Sequence, residues 1–298
     1  QNQPLDPASI HALLGSLAER YAVRVHAVGT GQSDRGVDLG SPTFENVPLP
    51  GIAILVGGGV SSYDAGELWH LFDQRYDIPV TLLDVDNLGR ADLSRYTVLI
   101  LPGGRYGSLR GMNNLKDWLR KGGTLLALEN AVQWAKNQGL LNVETKSPPE
   151  GDKGRRPYEK LGADFGAQVI GGSIFEVEVD RSHPLAFGLT RDRLPVFRQG
   201  TLFLQPPKNP YAAPLVYTEA PLLSGYISAQ NLEALKNSAQ TVVGSYGSGR
   251  VIAVTDNPNF RAFWYGTNRL TANAVFFGGL IDGRATVRAS GNGRNGEE

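Results

Sequence analysis

The apolar positions change rhythm along the chain, and the changes mark its elements. "GIAILVGGG" is a continuous apolar run ending in glycines, the pattern of a parallel strand covered on both faces. Residues 63–76 then carry Ala65, Leu68, Trp69, Phe72 and Tyr76 on one helical stripe. "IPVTLLDVD" predicts a second strand, "YTVLILPGG" a third, residues 112–121 a helix, and "GTLLAL" a fourth strand. This alternation predicts an α/β fold, a doubly wound, flavodoxin-like and mostly parallel sheet.

Upstream, Asp6-Pro7 opens a helix with Ile10, Leu13, Leu14, Leu17 and Tyr21 at helical spacing, because Asp is a good N-cap and Pro fits the first turn. "AVRVHAV" alternates with Val23 and Val25 on one face, and residues 29–49 read as a connector. Residues 1–48 are therefore expected to be a short αβ piece and linker from an upstream domain, too small to hold a core alone. Residues 49–282 are expected to form the main domain, and 283–298 a disordered tail low in apolar content.

Beyond residue 137, "ETKSPPEGDKGRRP" predicts a mobile loop and Tyr158 to Phe165 a short helix. "SIFEVEV", "TLFLQP" and "APLVYT" predict strands, and "TVVGSYGSGRVIAVTD" a hairpin turning at Gly-Ser-Gly, strands added to the parallel sheet. Residues 267–281 form a closing helix, with Leu270, Ala274, Phe277 and Ile281 in register.

Composition narrows the chemistry. Lys+Arg and Asp+Glu balance at 29 each, so attraction to nucleic acid or an anionic membrane is not expected. No apolar run reaches a membrane-spanning length. The absence of cysteine excludes disulfides, thiolate metal sites and a cysteine nucleophile. Four histidines argue against a multi-histidine metal site. His11 and His26 fall on polar faces, and His183 in "DRSHPLAFGL" reads as a turn former.

Ligands of such sheets bind beyond the carboxyl ends of the strands. "GGGVSSYDAGE" (57–67), "PGGRYGS" (102–108) and the turn at Glu129 should meet there. Small residues let backbone approach a ligand, which makes Gly58, Gly59, Ser61, Gly104, Arg105 and Tyr106 binding candidates. Ser61-x-x-Asp64 is a capping-box pattern; Asp64 caps a helix or points into the cleft. Glu67 and His70, one turn apart, read as a surface ion pair before a metal site. "GGGVSS" with Asp84 at the next strand end allows a nucleotide reading, although the third glycine is a serine. Phe260, Phe263, Trp264 and Tyr265 read mostly as a core corner, with Tyr265 exposed.

In "LLALENAVQWA" a strand passes into a helix through Glu129, with Ala127 and Ala131 two residues away on each side. That is the small-x-nucleophile-x-small spacing of a nucleophile elbow. "YTVLILPGG", a helix, then "GGTLLALENAV" resembles the class I glutamine amidotransferase-like superfamily, including PfpI-type proteases. The resemblance matches their cysteine to Glu129 and their acidic partner to Asp64 or Glu67. Their histidine has no counterpart in residues 130–160.

A wider resemblance, through "GVDLGSPTF", "GGGVSSYDAGELWHLFDQRYDIPVTLLDV", "HPLAFGL", "LSGYIS" and "DNPNFRAFWYGTNRLTANAVFFG", is to the C-terminal region of bacterial zinc carboxypeptidases of the carboxypeptidase A/T type. It implies a secreted or periplasmic parent with an upstream peptidase domain as partner. That domain would hold the zinc, because no His-x-x-Glu pair occurs here and no cofactor is expected in this chain. The expected function is a non-catalytic accessory or interaction domain, a pseudoenzyme with a peptide or carbohydrate ligand. Glu129 would then be ionised, accepting helix N-terminal N–H groups, capping that helix or pairing with Arg105. The rival is a hydrolase using Glu129 with Asp64 or Glu67 as an acid/base pair, at a separation suited to a glycosidic bond.

Overall fold

The computed structural model describes residues 4–107, 109–151 and 154–289. The chain divides into two compact units, Gln1–Asn46 and Val47–Glu298. In the first, α1 (Pro7–Tyr21) starts where Asp6 accepts hydrogen bonds from the backbone of Ala8 and Ser9 at 3.0 and 3.1 Å. Its apolar stripe stays uncovered, since the helix has no buried residue. The alternation of Val23 and Val25 makes no strand: residues 23–28 lie outside regular structure, with no neighbouring strand to pair their backbone.

The second unit opens with β1 (Ile52–Val56), α2 (Ser62–His70), β2 (Thr81–Asp84), β3 (Val98–Leu101), α3 (Met112–Arg120), β4 (Thr124–Leu128) and α4 (Ala131–Asn137). It continues with β5 (Thr145–Lys146), α5 (Leu161–Ala167), β6 (Ser173–Val179), β7 (Arg193–Arg198), β8 (Phe203–Leu204) and β9 (Leu215–Ser224). It closes with α6 (Ala229–Leu235), β10 (Ala239–Tyr246), β11 (Gly249–Val254), α7 (Asn268–Phe277) and β12 (Val287–Arg288). The main path of the sheet runs β2-β1-β3-β4-β11-β10-β9-β6-β7. Neighbours from β2 through β11 are parallel, and those from β11 through β7 antiparallel. The fold is mixed α/β with a mostly parallel central region.

Alternate residues of the parallel strands enter different cores, which is why their sequences are apolar throughout. Leu55, Leu99, Leu101, Leu125, Ala127 and Val251 pack with Leu115, Leu119 and Trp134 of α3 and α4. Ile54, Ile100, Leu126, Leu128 and Ile252 pack with Leu68 of α2 and Ala274 of α7. The hairpin of β10 and β11 turns through Gly247 at φ +63°, where a side chain would be strained.

Several expectations are corrected. The helix over 63–76 is α-helical only to His70 and continues as a π-helical turn over Leu71–Tyr76; its Trp69 is exposed. The polar segment expected as a mobile loop contains β5, paired with β8. The expected tail is ordered as far as Ala289, because β12 pairs with β10 at Gly244 and Ser245; residues 290–298 lie outside the described residues. Pattern gave no warning of β7 or α6. Pro195 interrupts β7, which an edge strand tolerates because one side of it has no ladder to feed.

Candidate functional site

The carboxyl ends of β1, β3, β4 and β11 lie side by side, so the loops after them meet. Backbone bonds tie the first two loops together: Ser61 N–H donates to Gly103 O at 2.8 Å and Arg105 N–H to Gly59 O at 2.6 Å. The Asn130 side chain brings in the third, accepting from Gly104 N–H at 2.7 Å. Contact is so close that a Cβ at Gly104 would meet Val60 Cα at 2.9 Å and Ser61 N at 3.1 Å. Backbone cannot yield cheaply there, so Gly104→Ala is expected to cost about 1–3 kcal/mol, measured by urea unfolding.

Glu129 occupies the bend between β4 and α4 with φ +50°, a left-handed conformation that is costly for a residue with a side chain. The bend is held by its N–H donating to Val254 O at 2.8 Å and its carbonyl accepting from Val132 N–H at 3.2 Å. The carboxyl is hydrogen-bonded to Asp64, not to backbone amides. Oxygens of both side chains crowd the α-carbon of Gly103, leaving no room for a Cβ there.

This arrangement overturns the expected ionised Glu129. Burial pushes its carboxyl up to about 8, helped by the charge of Asp64, the Asp64 hydrogen bond, and the charges of Asp256 and Glu67. Burial also raises Asp64, while hydrogen bonds from Glu129 and Ser61 draw it back down. Two carboxyls in contact do not both ionise readily, and Glu129, the one pushed up to about 8, is the one that keeps a proton at neutral pH. Neither helix capping nor pairing with Arg105 occurs: α4 has no side-chain cap, and among the described residues Arg105 makes no ion pair.

The pair lines a cavity of about 1090 Å³ together with Gly59, Ser61, Glu67, Gly104 and Arg105. Ser61 caps α2, accepting from Asp64 N–H at 3.4 Å, and the Asp64 carboxyl lines the cleft. Glu67 makes no ion pair with His70, although both line the cavity. It accepts from Asn257 Nδ2 and from Arg261 N–H, each at 2.7 Å, and burial raises its pKa against these bonds. The hydrogen-bonded contact of Glu129 and Asp64 is closer than the roughly 5–5.5 Å separation of retaining glycosidase carboxyls. The expected glycosidic spacing is therefore absent from that pair.

Other candidates fall differently. Tyr106 is half-buried against Trp134, and its hydroxyl donates to Pro102 O at 2.7 Å; burial and the charge of Asp64 raise its pKa. It braces the loop and does not line the cleft. Gly58 lines a neighbouring cavity, and Ser108 lies outside the described residues. Asp84 accepts from Asp86 N–H at 2.8 Å and caps the turn after β2, and its carboxyl packs against Gly57 of the loop after β1. His183 caps a turn, accepting from Leu185 N–H at 3.1 Å. Among the described residues no group of histidine and carboxylate side chains is arranged to hold a metal ion.

The loop after β11 holds what the sequence reading missed. Asn257 and Arg261 reach Glu67, and Arg261 and Ala262 have successive positive φ values of 50° and 54°. In the aromatic cluster beside them Tyr265 is exposed at 60% as expected, but Phe263 is exposed too, at 55%, and Phe260 and Trp264 are only half-buried. Phe260 lines the cleft and stacks on Phe197 with ring centroids 3.7 Å apart.

No family model matches the chain, and no curated protein matches it. Solved structures do. The chain is similar to a chain in the structure of PurLQS from Thermotoga maritima, at 13% identity and TM-score 0.51, over 76% of this chain and 97% of that one. A putative thua-like protein from Parabacteroides merdae is similar at 12% identity and TM-score 0.51, over 83% of this chain and 94% of that one. Identities this low establish the fold and carry no activity across.

Proposed function

We propose that this chain is a binding domain built on the amidotransferase-like fold, without nucleophilic chemistry, for a neutral hydrogen-bonding ligand such as peptide amides or carbohydrate hydroxyls. The observation that carries the reading is the contact between the Glu129 and Asp64 carboxyls, which converge on Gly103 at the cleft. The elbow position, where a nucleophile would stand, supplies a protonated carboxyl engaged with its neighbour. Glu67 and the cleft arginines add fixed acceptors and donors around it. Helices packed on both faces of the parallel strands support the finer doubly wound, flavodoxin-like description.

The carboxypeptidase-like segments of the sequence support a wider proposal: an accessory domain of a secreted or periplasmic zinc metallocarboxypeptidase, whose zinc belongs to an upstream peptidase domain. The reading frame upstream of Gln1 tests it. A His-x-x-Glu metallopeptidase module there supports the proposal, and a frame without one contradicts it.

One observation favours a second reading. Two carboxyls sharing a proton in an open cleft can act as acid and base at once. A panel of peptide and glycoside substrates separates the readings. For a binding domain, wild-type protein and Glu129→Gln show the same absence of turnover. Turnover abolished by both Glu129→Gln and Asp64→Asn establishes the enzyme instead.

A further inference from the structure

Beside the carboxylate cleft lies a second cavity of about 590 Å³ with the opposite charge. It is walled by Arg90, Arg105 and Arg110, with Gly58 and Gly59 on one side and Asp86 as its acidic member. Its position is set by topology. β1 lies between β2 and β3 in the sheet, so the segments leaving the carboxyl ends of all three strands gather around one cavity.

Two features of the walls bear on what fits. Among the described residues none of the three arginines forms an ion pair with a carboxylate; Arg90 only donates to Asn87 Oδ1 at 2.9 Å. Three like charges around one cavity, with Asp86 as the single acidic side chain in its lining among the described residues, repel one another, and an anion between them reduces that cost. The N–H groups of Gly58 and Gly59 also have no backbone acceptor among the described residues, and a Cβ at Gly58 would meet nothing within 4 Å. Guanidinium forks and free N–H groups are the donor set that matches a tetrahedral oxyanion.

We propose that this cavity is a phosphoryl-binding site, taking the phosphate group of a small phosphate ester. Arg105 lines this cavity and the carboxylate cleft alike, so a ligand anchored by its phosphate can extend its neutral, hydroxylated part toward Glu129 and Asp64. The site stands on its own residues and does not depend on whether the carboxyl pair is catalytic.

Isothermal titration in low-salt buffer, with inorganic phosphate and with ribose 5-phosphate as probes, tests the proposal. Each charge-assisted bond is worth enough that Arg90→Gln/Arg110→Gln should weaken both probes by at least about tenfold. Arg191→Gln, an exposed change elsewhere, should leave them unchanged. Tighter binding of ribose 5-phosphate identifies the ester as occupant, and tighter binding of phosphate identifies the free ion. Arg110→Gln alone, on an exposed side chain, gives a second reading should the double variant misfold. No binding of either probe overturns the site, as does equal weakening by Arg191→Gln and by the double variant, which would mark diffuse charge only.

Discussion

Glu129→Gln should make the protein more stable than wild type at alkaline pH and nearly equal to it at acid pH. The sign follows from proton binding. The folded chain holds the Glu129 proton up to about 8, the unfolded chain only to an ordinary value of 4.5. Between those values the folded state binds more protons, so its stability falls as pH rises. The contribution is fully present below the unfolded value and lost as pH passes through the folded one. Asp64, also raised, adds with the same sign. Glutamine keeps a donor toward Asp64 and cannot ionise, so it escapes the repulsion. Melting temperatures from about pH 5 to about pH 9 report the difference, at about 2–4 °C for each kcal/mol in a unit of this size. Parallel curves for the two proteins would contradict the shared proton.

The largest loss of stability is expected from Arg198→Met. Arg198 of β7 is buried, with its side chain 1% exposed, and pairs with Asp256 at 2.8 Å. The same nitrogen donates to Tyr217 Oη at 3.0 Å and Thr255 Oγ1 at 2.9 Å, and Tyr217 donates to Asp256 Oδ1 at 2.5 Å. This network fastens the antiparallel edge of the sheet to the loop that follows β11. Removing the guanidinium strands a buried carboxylate, at a cost of about 3–5 kcal/mol. Urea unfolding measures it, and Arg198→Met/Asp256→Leu should recover most of the loss, since a removed pair leaves no uncompensated charge. Asp256→Asn carries a linked consequence: the charge of Asp256 is one of the causes that raise Glu129, so that pKa should fall.

The sequence made the parallel half of the fold legible because strands buried on both faces are apolar at every position, as in "IAILV" and "TLLAL". β5 and β8 are two residues each and give pattern nothing to repeat. β7 was hidden by Pro195, and α6 by its seven-residue length. At the site, the elbow spacing pointed to Glu129 and the loops it would face, and the structure brings Asp64 and Glu67 to the same cleft. The charge state was not legible. It depends on burial and on Asp256, which arrives from a strand end 127 residues later. Asn257 and Arg261 were missed for the same reason: they meet Glu67 across 190 and 194 residues of chain.

The central claim is that Glu129 keeps its proton at neutral pH by giving it to Asp64 in a hydrogen bond. Carbon-13 NMR of the glutamate side-chain carboxyls, with Glu129→Gln to assign the signal, reads this directly. The account predicts a Glu129 titration midpoint near 8 that drops when Asp64 is replaced by Asn. A midpoint in the ordinary glutamate range near 4.5, unmoved by that replacement, would contradict it.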